Sequence, residues 1–579
     1  MKKTLPMWSR GDRWILLTLI AAVAAVFYGG LSYEFVNWED DVFVVGDLHY
    51  KTLTWPNLKW MFASHLIGTY QPFCWLVWAG LYKVFGLSTT AFHAFGIALH
   101  ALMIVGVFVL ARRLLRGEES STKAVSLAAA GTALLWGLHP LQVEMVALAG
   151  VQADLLASVC LLYSVLTYIV AVDGGKKQQK YFYLSWALAL CSGLSRWHVA
   201  ALPVFLVVLD GVSLGRLPPK LSQWGQRALR PVWLEKIPYV LIAVAATAAN
   251  LAAKTVSGRG GAAPAATLVD TLGALIFYPV KLLWPVNLLP AYHLSMVPSP
   301  LPWPPLLGAV AVVAVTIALV LGRRRWPAAF GAWLCYAAAI APTLSVYLSS
   351  KALYAHDRYA YVAVLPLFLL VGALLRRIAK NRLAIASLIG LLLVLGIGAH
   401  KQHAVWRDAE TLWRHVLAVA PRFPGVHLRL GKTLEAQQRF ADAIALYRQQ
   451  LEFAPRRARA NLARAYYGWA KMQVKDGQFA AAAKSLEQTV SYVPRHGYAH
   501  ALLARVYDQL GRSADAQASR EAARRYAGDI ASFHFRAAKL QLRQGSPEKA
   551  IKHLQEALSL DPTHRPAALF LKRLQNLPN

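Results

Sequence analysis

Apolar runs of membrane-spanning length recur up to about residue 400 and then stop, and this limits the fold more tightly than any other feature. A helix needs about 20 predominantly apolar residues to cross a bilayer. Segments 14–33, 89–111, 124–144, 152–172, 181–196, 198–213, 237–254, 304–322, 327–348, 359–375 and 383–400 meet or approach that length. They amount to about eleven spans, the short pair around Arg196 being the least secure. Backbone polar groups inside a bilayer must be satisfied within the segment, so such runs predict helices. Residues 1–400 therefore read as a polytopic, all-α membrane helix bundle. Composition agrees: the chain is 57% hydrophobic yet carries 61 Lys+Arg, a pairing that suits a membrane protein and not a soluble one.

Met1 to Arg13 is basic and Trp14 to Leu31 apolar. No small-residue cleavage site precedes residue 33, so this reads as a retained first helix, not a removed signal. The region 268–290 is apolar but broken by Pro279, Pro285 and Pro290, and reads as a helix lying along the outer surface. The four cysteines, Cys74, Cys160, Cys191 and Cys335, all sit in apolar stretches without a CxxC pair. Buried small hydrophobes is the better reading.

Basic residues set the orientation. Arg112-Arg113 with Arg116, Lys176-Lys177 with Lys180, the segment 216–236, Arg323 to Arg325, and Arg376-Arg377 with Lys380 and Arg382 alternate onto the side of the N-terminus. That side is therefore cytoplasmic. The scheme requires that 73–86, with Trp75, Trp78, Tyr82 and Lys83, be an interfacial helix and not a span. The loop 33–88 and the C-terminal third then share the outer side.

Beyond His400 the pattern changes to a repeat. Pro421 and Pro455 are 34 residues apart, Pro455 and Pro494 39, and Pro494 and Pro562 68, with Gly528 in place of the intermediate proline. A 34-residue period is the tetratricopeptide signature. Leu430-Gly431, Ala443 and Tyr447, then Leu503-Ala504, Tyr507, Ala516 and Ala523, then Ala550 and Ala557, occupy the expected positions. Residues 401–579 thus read as a solenoid of about four repeats, preceded by a lead-in helix from Ala404 to Ala420.

Chemistry concentrates in the loop 33–88. Its core is Asn37-Trp38-Glu39-Asp40-Asp41, in a chain with only 29 acidic residues. Three adjacent carboxylates raise one another's pKa, which suits a general base. Asp40 or Asp41 could take a proton from an acceptor hydroxyl, with the other residue positioning donor or acceptor; a merely solvated acidic loop is the alternative. Glu144 lies at the outer end of the third span, five residues after His139, where a lipid-facing carboxylate would be costly; capping within the bundle is the alternative for this pair. Arg196, His198, Lys254, Arg259, Lys281 and Arg358 are the cations available to hold a phosphate, against ordinary interfacial roles. A divalent metal bridging carboxylates and phosphate is compatible with this set, but no ligand spacing marks one.

Together, Asn37-Trp38-Glu39-Asp40-Asp41, His139-Pro140-Leu141-Gln142-Val143-Glu144 and Ala153-Asp154-Leu155-Leu156-Ala157 resemble a known pattern. Leu194-Ser195-Arg196, Lys281 to Pro285, Asp357-Arg358-Tyr359 with Tyr361, and Trp406-Arg407-Asp408 through Trp413 follow in the same order. The chain resembles the TMTC family of transmembrane, tetratricopeptide-containing O-mannosyltransferases and their bacterial relatives, over essentially its whole length. The resemblance implies a GT-C-type bundle, a polyprenyl-phosphate-linked sugar donor and inversion at the anomeric carbon. It also implies a multi-pass bacterial inner-membrane protein whose periplasmic repeats engage a protein acceptor through Ser or Thr. On that basis Glu39, Asp40 and Asp41 are the candidate catalytic residues. Glu144, His139, Arg196, His198, Arg259 and Arg358 are candidates for the donor or its phosphate. Gln152 and Arg196-Trp197 depart from the family, which usually has arginine at the first position and Lys-Glu at the second.

Two other classes compete. A transporter would place ionisable residues at mid-membrane and often show internal duplication; no duplicated pattern is evident among the spans. A non-catalytic repeat scaffold needs only one span. Nucleic-acid binding, suggested by the net charge of +32, fits poorly because much of the charge lies in positive-inside loops.

Overall fold

The structure, a computed structural model, describes residues 10–47, 49–116, 121–174, 178–256, 267–293, 305–349, 354–379, 381–423, 425–543 and 547–575. It divides into two compact units, Met1–Val45 with His49–Asp408, and Gly46–Leu48 with Ala409–Asn579. Both are helical. The only strands among the described residues are two-residue segments, Tyr292–His293 paired antiparallel with Tyr354–Ala355 so that Tyr292 faces Ala355.

Among the described residues of the first unit, five helices are long and apolar enough to cross a membrane: Gly11–Ser32, Thr89–Leu114, Ala149–Val172, Ile237–Thr255 and Arg382–Ala404. Two bent pairs raise this to seven if each is one span: Thr122–Gly137 with Pro140–Ala147, bent by 59°, and Asp357–Ala363 with Leu365–Ile378, bent by 53°. These are fewer than the eleven that the apolar runs suggest, and breaks and short helices account for the difference. Each bend falls beside a proline in the first turn of the following helix, Pro140 or Pro366, where the missing N–H and the ring resist continuation of the preceding helix. Trp197–Ser213 and Leu306–Leu321 are apolar but short. Gln178–Gly193 has 16 residues, and Pro327–Ser349 carries Pro342 in its interior.

Polar ties join helix ends at one end of this unit. Asp12 accepts from Arg112 Nη2 and Ser126 Oγ, each at 2.9 Å. Arg113 Nη2 donates to Asp173 Oδ1 at 2.6 Å, and Arg376 Nη1 to the Leu115 carbonyl at 2.7 Å. The far ends of the same helices lead to the loop 33–88, Glu144, Asp154 and Arg358.

That loop builds its own core. The helix Pro72–Phe85 buries Trp75 and Trp78 against Phe43, Tyr50, Met61 and Phe92. An interfacial helix would anchor such indoles at the headgroups; here they point inward, and Val84 and Phe85 are exposed instead. The expected surface helix at 268–290 also has an inward face. Within Thr267–Leu283, Tyr278 is fully buried and its hydroxyl donates to the His356 carbonyl at 3.1 Å.

The second unit opens with the helix Ala409–Val419. Four helical hairpins follow: Val426–Ala436 with Phe440–Gln449, Pro455–Lys475 with Phe479–Tyr492, Gly497–Gln509 with Ser513–Arg525, and Ala527–Arg543 with Pro547–Leu560. Arg565–Gln575 ends the stack. The five residues inserted between Pro455 and Pro494 go into a first helix of 21 residues, against 13 for Gly497–Gln509. Gly477 and Gly511 take left-handed φ of 72° and 71° in their hairpin turns, and Gln438 does so at 62° in the corresponding turn.

Candidate functional site

The strongest node of the first unit is Arg358. It lies in the turn Asp357–Tyr359, which opens the second bent pair. Its Nη2 donates to Glu39 Oε1 at 2.7 Å and its Nη1 to Glu144 Oε1 at 3.0 Å. Its backbone N–H also donates to Glu144 Oε2 at 3.0 Å. One guanidinium fork thus joins the acidic loop to both bent pairs. The Arg358 side chain is 10% exposed and that of Glu144 1%, so these are desolvated, charge-assisted bonds. His356 stands beside them, its Nδ1 4.0 Å from Glu144 Oε1 and 2.7 Å from the Pro290 carbonyl. Behind it, Tyr292 donates its hydroxyl to Asp357 Oδ1 at 2.8 Å.

The three loop carboxylates are unequal. Glu39 belongs to the Arg358 node. Asp40 is fully buried; its Oδ1 accepts from the Gly150 N–H at 2.5 Å and its Oδ2 from the Val36 N–H at 3.0 Å. It fastens the loop to the start of the Ala149–Val172 span. Burial pushes its carboxyl up to about 7, with Glu39 and Asp41 adding to the rise and the two N–H donors opposing it. A Cβ at Gly150 would stand 2.9 Å from the Glu39 carbonyl carbon, so the close approach of loop and span requires glycine. Asp41, by contrast, is exposed.

A second charged node lies nearby. Arg196 Nε donates to Asp154 Oδ2 at 3.0 Å, and both side chains are under 10% exposed. Asp154 also feels the charges of His198 and Arg358. Lys254 lies 4.0 Å from the Trp197 ring centre and close enough to Arg196 to feel its charge. Tyr359 is electrostatically coupled to both nodes, through Arg358, Asp154, Glu39 and Glu144. Arg196 uses only Nε on Asp154, so the Nη edge of its fork can receive an anion. Arg358 instead has both Nη groups on carboxylates, which makes it a positioning group and a poor phosphate ligand.

Two sequence-based expectations are revised. His139 lies outside both nodes; its Nδ1 accepts from the Leu141 N–H at 3.2 Å and its Nε2 bonds the Leu282 carbonyl at 3.0 Å, so it caps the break between the first bent pair's helices. Lys281 donates Nζ to the Val286 carbonyl at 2.7 Å, closing the chain after its helix. Arg259 lies outside the described residues. The departure at Gln152 also gains a reason. Its Oε1 accepts from Trp78 Nε1 at 2.9 Å and its Nε2 donates to the Phe92 carbonyl at 2.6 Å. An arginine, which has no acceptor, could not make the first of these bonds.

Several buried polar atoms have no protein partner, including both amide atoms of Gln71 and of Gln142, and Nδ1 of His198. Gln71 adjoins the second node: the N–H of Phe73, two residues on, donates to the Leu194 carbonyl at 3.1 Å. Buried polar groups are seldom left unbonded, so these amides suit contact with a polar ligand or water. Gln71 had no distinguishing sequence signal, and Tyr292 reaches Asp357 across 65 residues.

One comparison with known proteins bears on the second unit. A tetratricopeptide-repeat model matches residues 400–458, 467–518 and 502–565. A solved structure, described as "Crystal structure of MamA", is similar at 20% identity and a TM-score of 0.18, over 27% of this chain and 89% of that one. No curated protein is similar enough to the chain to count as a relative. The C-terminal region of this chain carries tetratricopeptide repeats.

Proposed function

We propose that the protein is a GT-C-type membrane glycosyltransferase of about eleven spans, related to the TMTC family. It moves a sugar from a polyprenyl-phosphate donor to a hydroxyl of a protein acceptor, on the periplasmic side of a bacterial inner membrane. The observation that carries this reading is the meeting of Glu39, Glu144 and Arg358, which brings an acidic loop and two broken spans to one point beside a second, cation-bearing node.

In this reading the exposed Asp41 carboxylate removes the proton of the acceptor hydroxyl. The acceptor oxygen forms a bond to the sugar C1 as the bond from C1 to the phosphate oxygen breaks, with inversion. The electron pair leaves with the lipid phosphate, which gains a negative charge, and Arg196, with His198 and Lys254 nearby, stabilises it. Asp40 and the Arg358 node hold the loop in place. The repeats bind the acceptor protein, as helical-repeat surfaces commonly do.

The test is transfer of labelled sugar from polyprenyl phosphate to an acceptor peptide by purified protein. Asp41→Asn should lower the rate about 10²–10⁴-fold, the usual contribution of a general base. Arg196→Lys, which keeps a cation for Asp154 but loses the guanidinium Nη edge, should sharply weaken donor use. Full transfer by Asp41→Asn would remove the assigned base, and no transfer by the wild-type protein from any polyprenyl-phosphate sugar would remove the reaction class.

A further inference from the structure

The last helical hairpin of the repeat unit brings together three side chains that the transferase reading does not use. His534 lies on Ala527–Arg543, and His553 and Glu556 lie on Pro547–Leu560. Spaced three apart on one helix, His553 and Glu556 share a face. His534 Nδ1 is 3.1 Å from His553 Nδ1 and 3.5 Å from Glu556 Oε2, and the three ligand atoms lie within 4.8 Å of one another.

Those separations have a direct meaning. Bonds of about 2.0–2.1 Å at tetrahedral angles put neighbouring donor atoms roughly 3.3–3.4 Å apart. The 3.1 and 3.5 Å separations bracket that value. A plain hydrogen bond between the imidazoles would account for the 3.1 Å separation but gives the carboxylate no reason to face the same nitrogen. The other side of His534 fits a ligand as well: Nε2 bonds the Tyr498 hydroxyl, on the helix Gly497–Gln509. If Nε2 carries the proton, Nδ1 presents its lone pair to the other two groups. An outer hydrogen bond that fixes ring and tautomer in this way is the usual support of a metal-bound histidine.

The hairpin has a use for such a cross-link. Its fully buried core consists of Ala531, Ala538, Ala550, Ala557 and Ala567 with a single leucine, Leu554. Alanines bury little apolar area, so a cross-link between the two helices adds to a thin core.

We propose that His534, His553 and Glu556 form a binding site for a divalent transition-metal ion of the zinc type. Tyr498 positions His534, and the ion clamps the last repeat hairpin. Two imidazoles and one carboxylate suit zinc better than calcium or magnesium, which prefer all-oxygen sets. The fourth position is open to water or to a carboxylate or imidazole of a docked partner. This site does not depend on the transferase reading and stands if that reading fails.

The test uses the full-length protein in detergent, without a histidine tag, stripped with chelator and titrated with Zn²⁺ against a competing chromophoric chelator. The wild type should bind a single tight equivalent and melt at higher temperature with zinc than without. His553→Ala and Glu556→Gln should each weaken binding by more than the ~10–100-fold typical of losing an outer partner, and Tyr498→Phe by about that amount. All three should lose the zinc-dependent melting shift yet remain folded in chelator. His500→Ala, a histidine of another hairpin, should bind as the wild type does. No tight equivalent in the wild type, or equal binding by His553→Ala and Glu556→Gln, would overturn the site and leave His534 and His553 as a hydrogen-bonded pair.

Discussion

Replacing Arg358 tests whether one side chain organises the first unit's charges. Arg358→Met removes the cation from Glu39 and from Glu144, whose side chain is 1% exposed. Removing one partner of a buried ion pair costs about 3–5 kcal/mol, chiefly because a charge is left uncompensated. Arg358→Lys should cost less. The backbone N–H to Glu144 survives, and an ammonium can keep one of the two side-chain bonds but cannot span both carboxylates. One lost bond to a charged group is worth roughly 1.5–3 kcal/mol. Glu144→Gln in the Arg358→Met background should recover much of the loss by removing the stranded charge. The assay is thermal unfolding of purified protein in detergent, followed by near-ultraviolet circular dichroism. The expected order of melting temperatures is wild type, lysine variant, double variant close to it, then methionine variant. If Arg358→Met melts with the wild type, or the double variant melts below it, the guanidinium is not what joins the loop to the two bent pairs.

Asp40 should make stability fall as pH rises. Its folded pKa is lifted from 3.8 to about 7, so the folded state holds the proton more tightly than the unfolded chain does. The contribution is fully present below pH 4 and lost through pH 7, at up to about 1.4 kcal/mol per unit; unfolding curves from pH 4 to 8 should be flatter in Asp40→Asn than in the wild type. Gln152→Arg installs the residue the resembling family carries, yet it strands the Trp78 indole N–H. It should lower stability by about 1–3 kcal/mol, visible as a lower melting temperature and changed tryptophan fluorescence. Gln438→Gly should raise the melting temperature of the repeat unit, because a non-glycine residue at a φ of 62° carries on the order of 1 kcal/mol of strain; an unchanged or lower value would show the turn to be relaxed.

The repeats were legible because each hairpin writes its own helices into a fixed period. Even the departure between Pro455 and Pro494 translated simply, into a longer first helix. Span count was less legible. Apolar runs mark where helices lie, but a proline such as Pro140 or Pro366 divides a run into two helices with different axes, and hydropathy does not register the bend. Trp75 and Trp78 looked like interface anchors because periodicity shows a face without showing what covers it; Tyr50, Met61 and Phe92 cover it. The charged residues were visible singly and their pairing was not. Glu144 and Arg358 are 214 residues apart, and Glu39 and Arg358 319. The division of labour between Asp40 and Asp41 was beyond reach for the same reason, since it rests on the Gly150 N–H, 110 residues away.

Breaks and charges belong to one problem. Each bent pair interrupts backbone hydrogen bonding, and freed N–H and C=O groups in an apolar bundle must find partners. His139 supplies one at the first break, and Glu144 accepts the Arg358 N–H at the start of the second pair's first helix, where N–H groups lack helical partners. Glu144 therefore repairs a backbone at the same time as it fixes a guanidinium, and Asp40 satisfies two N–H groups while placing its neighbours. Loss of activity in Glu144 or Asp40 variants would consequently report folding as much as chemistry. Changes that leave these buried contacts in place separate the two better: Asp41→Asn at an exposed carboxylate, and Arg196→Lys, which keeps a cation beside Asp154 but loses the Nη edge. A transferase reading that is right must show catalytic defects in Asp41→Asn and Arg196→Lys that exceed any change in melting temperature, whereas a scaffold built on the same bundle would show no such excess.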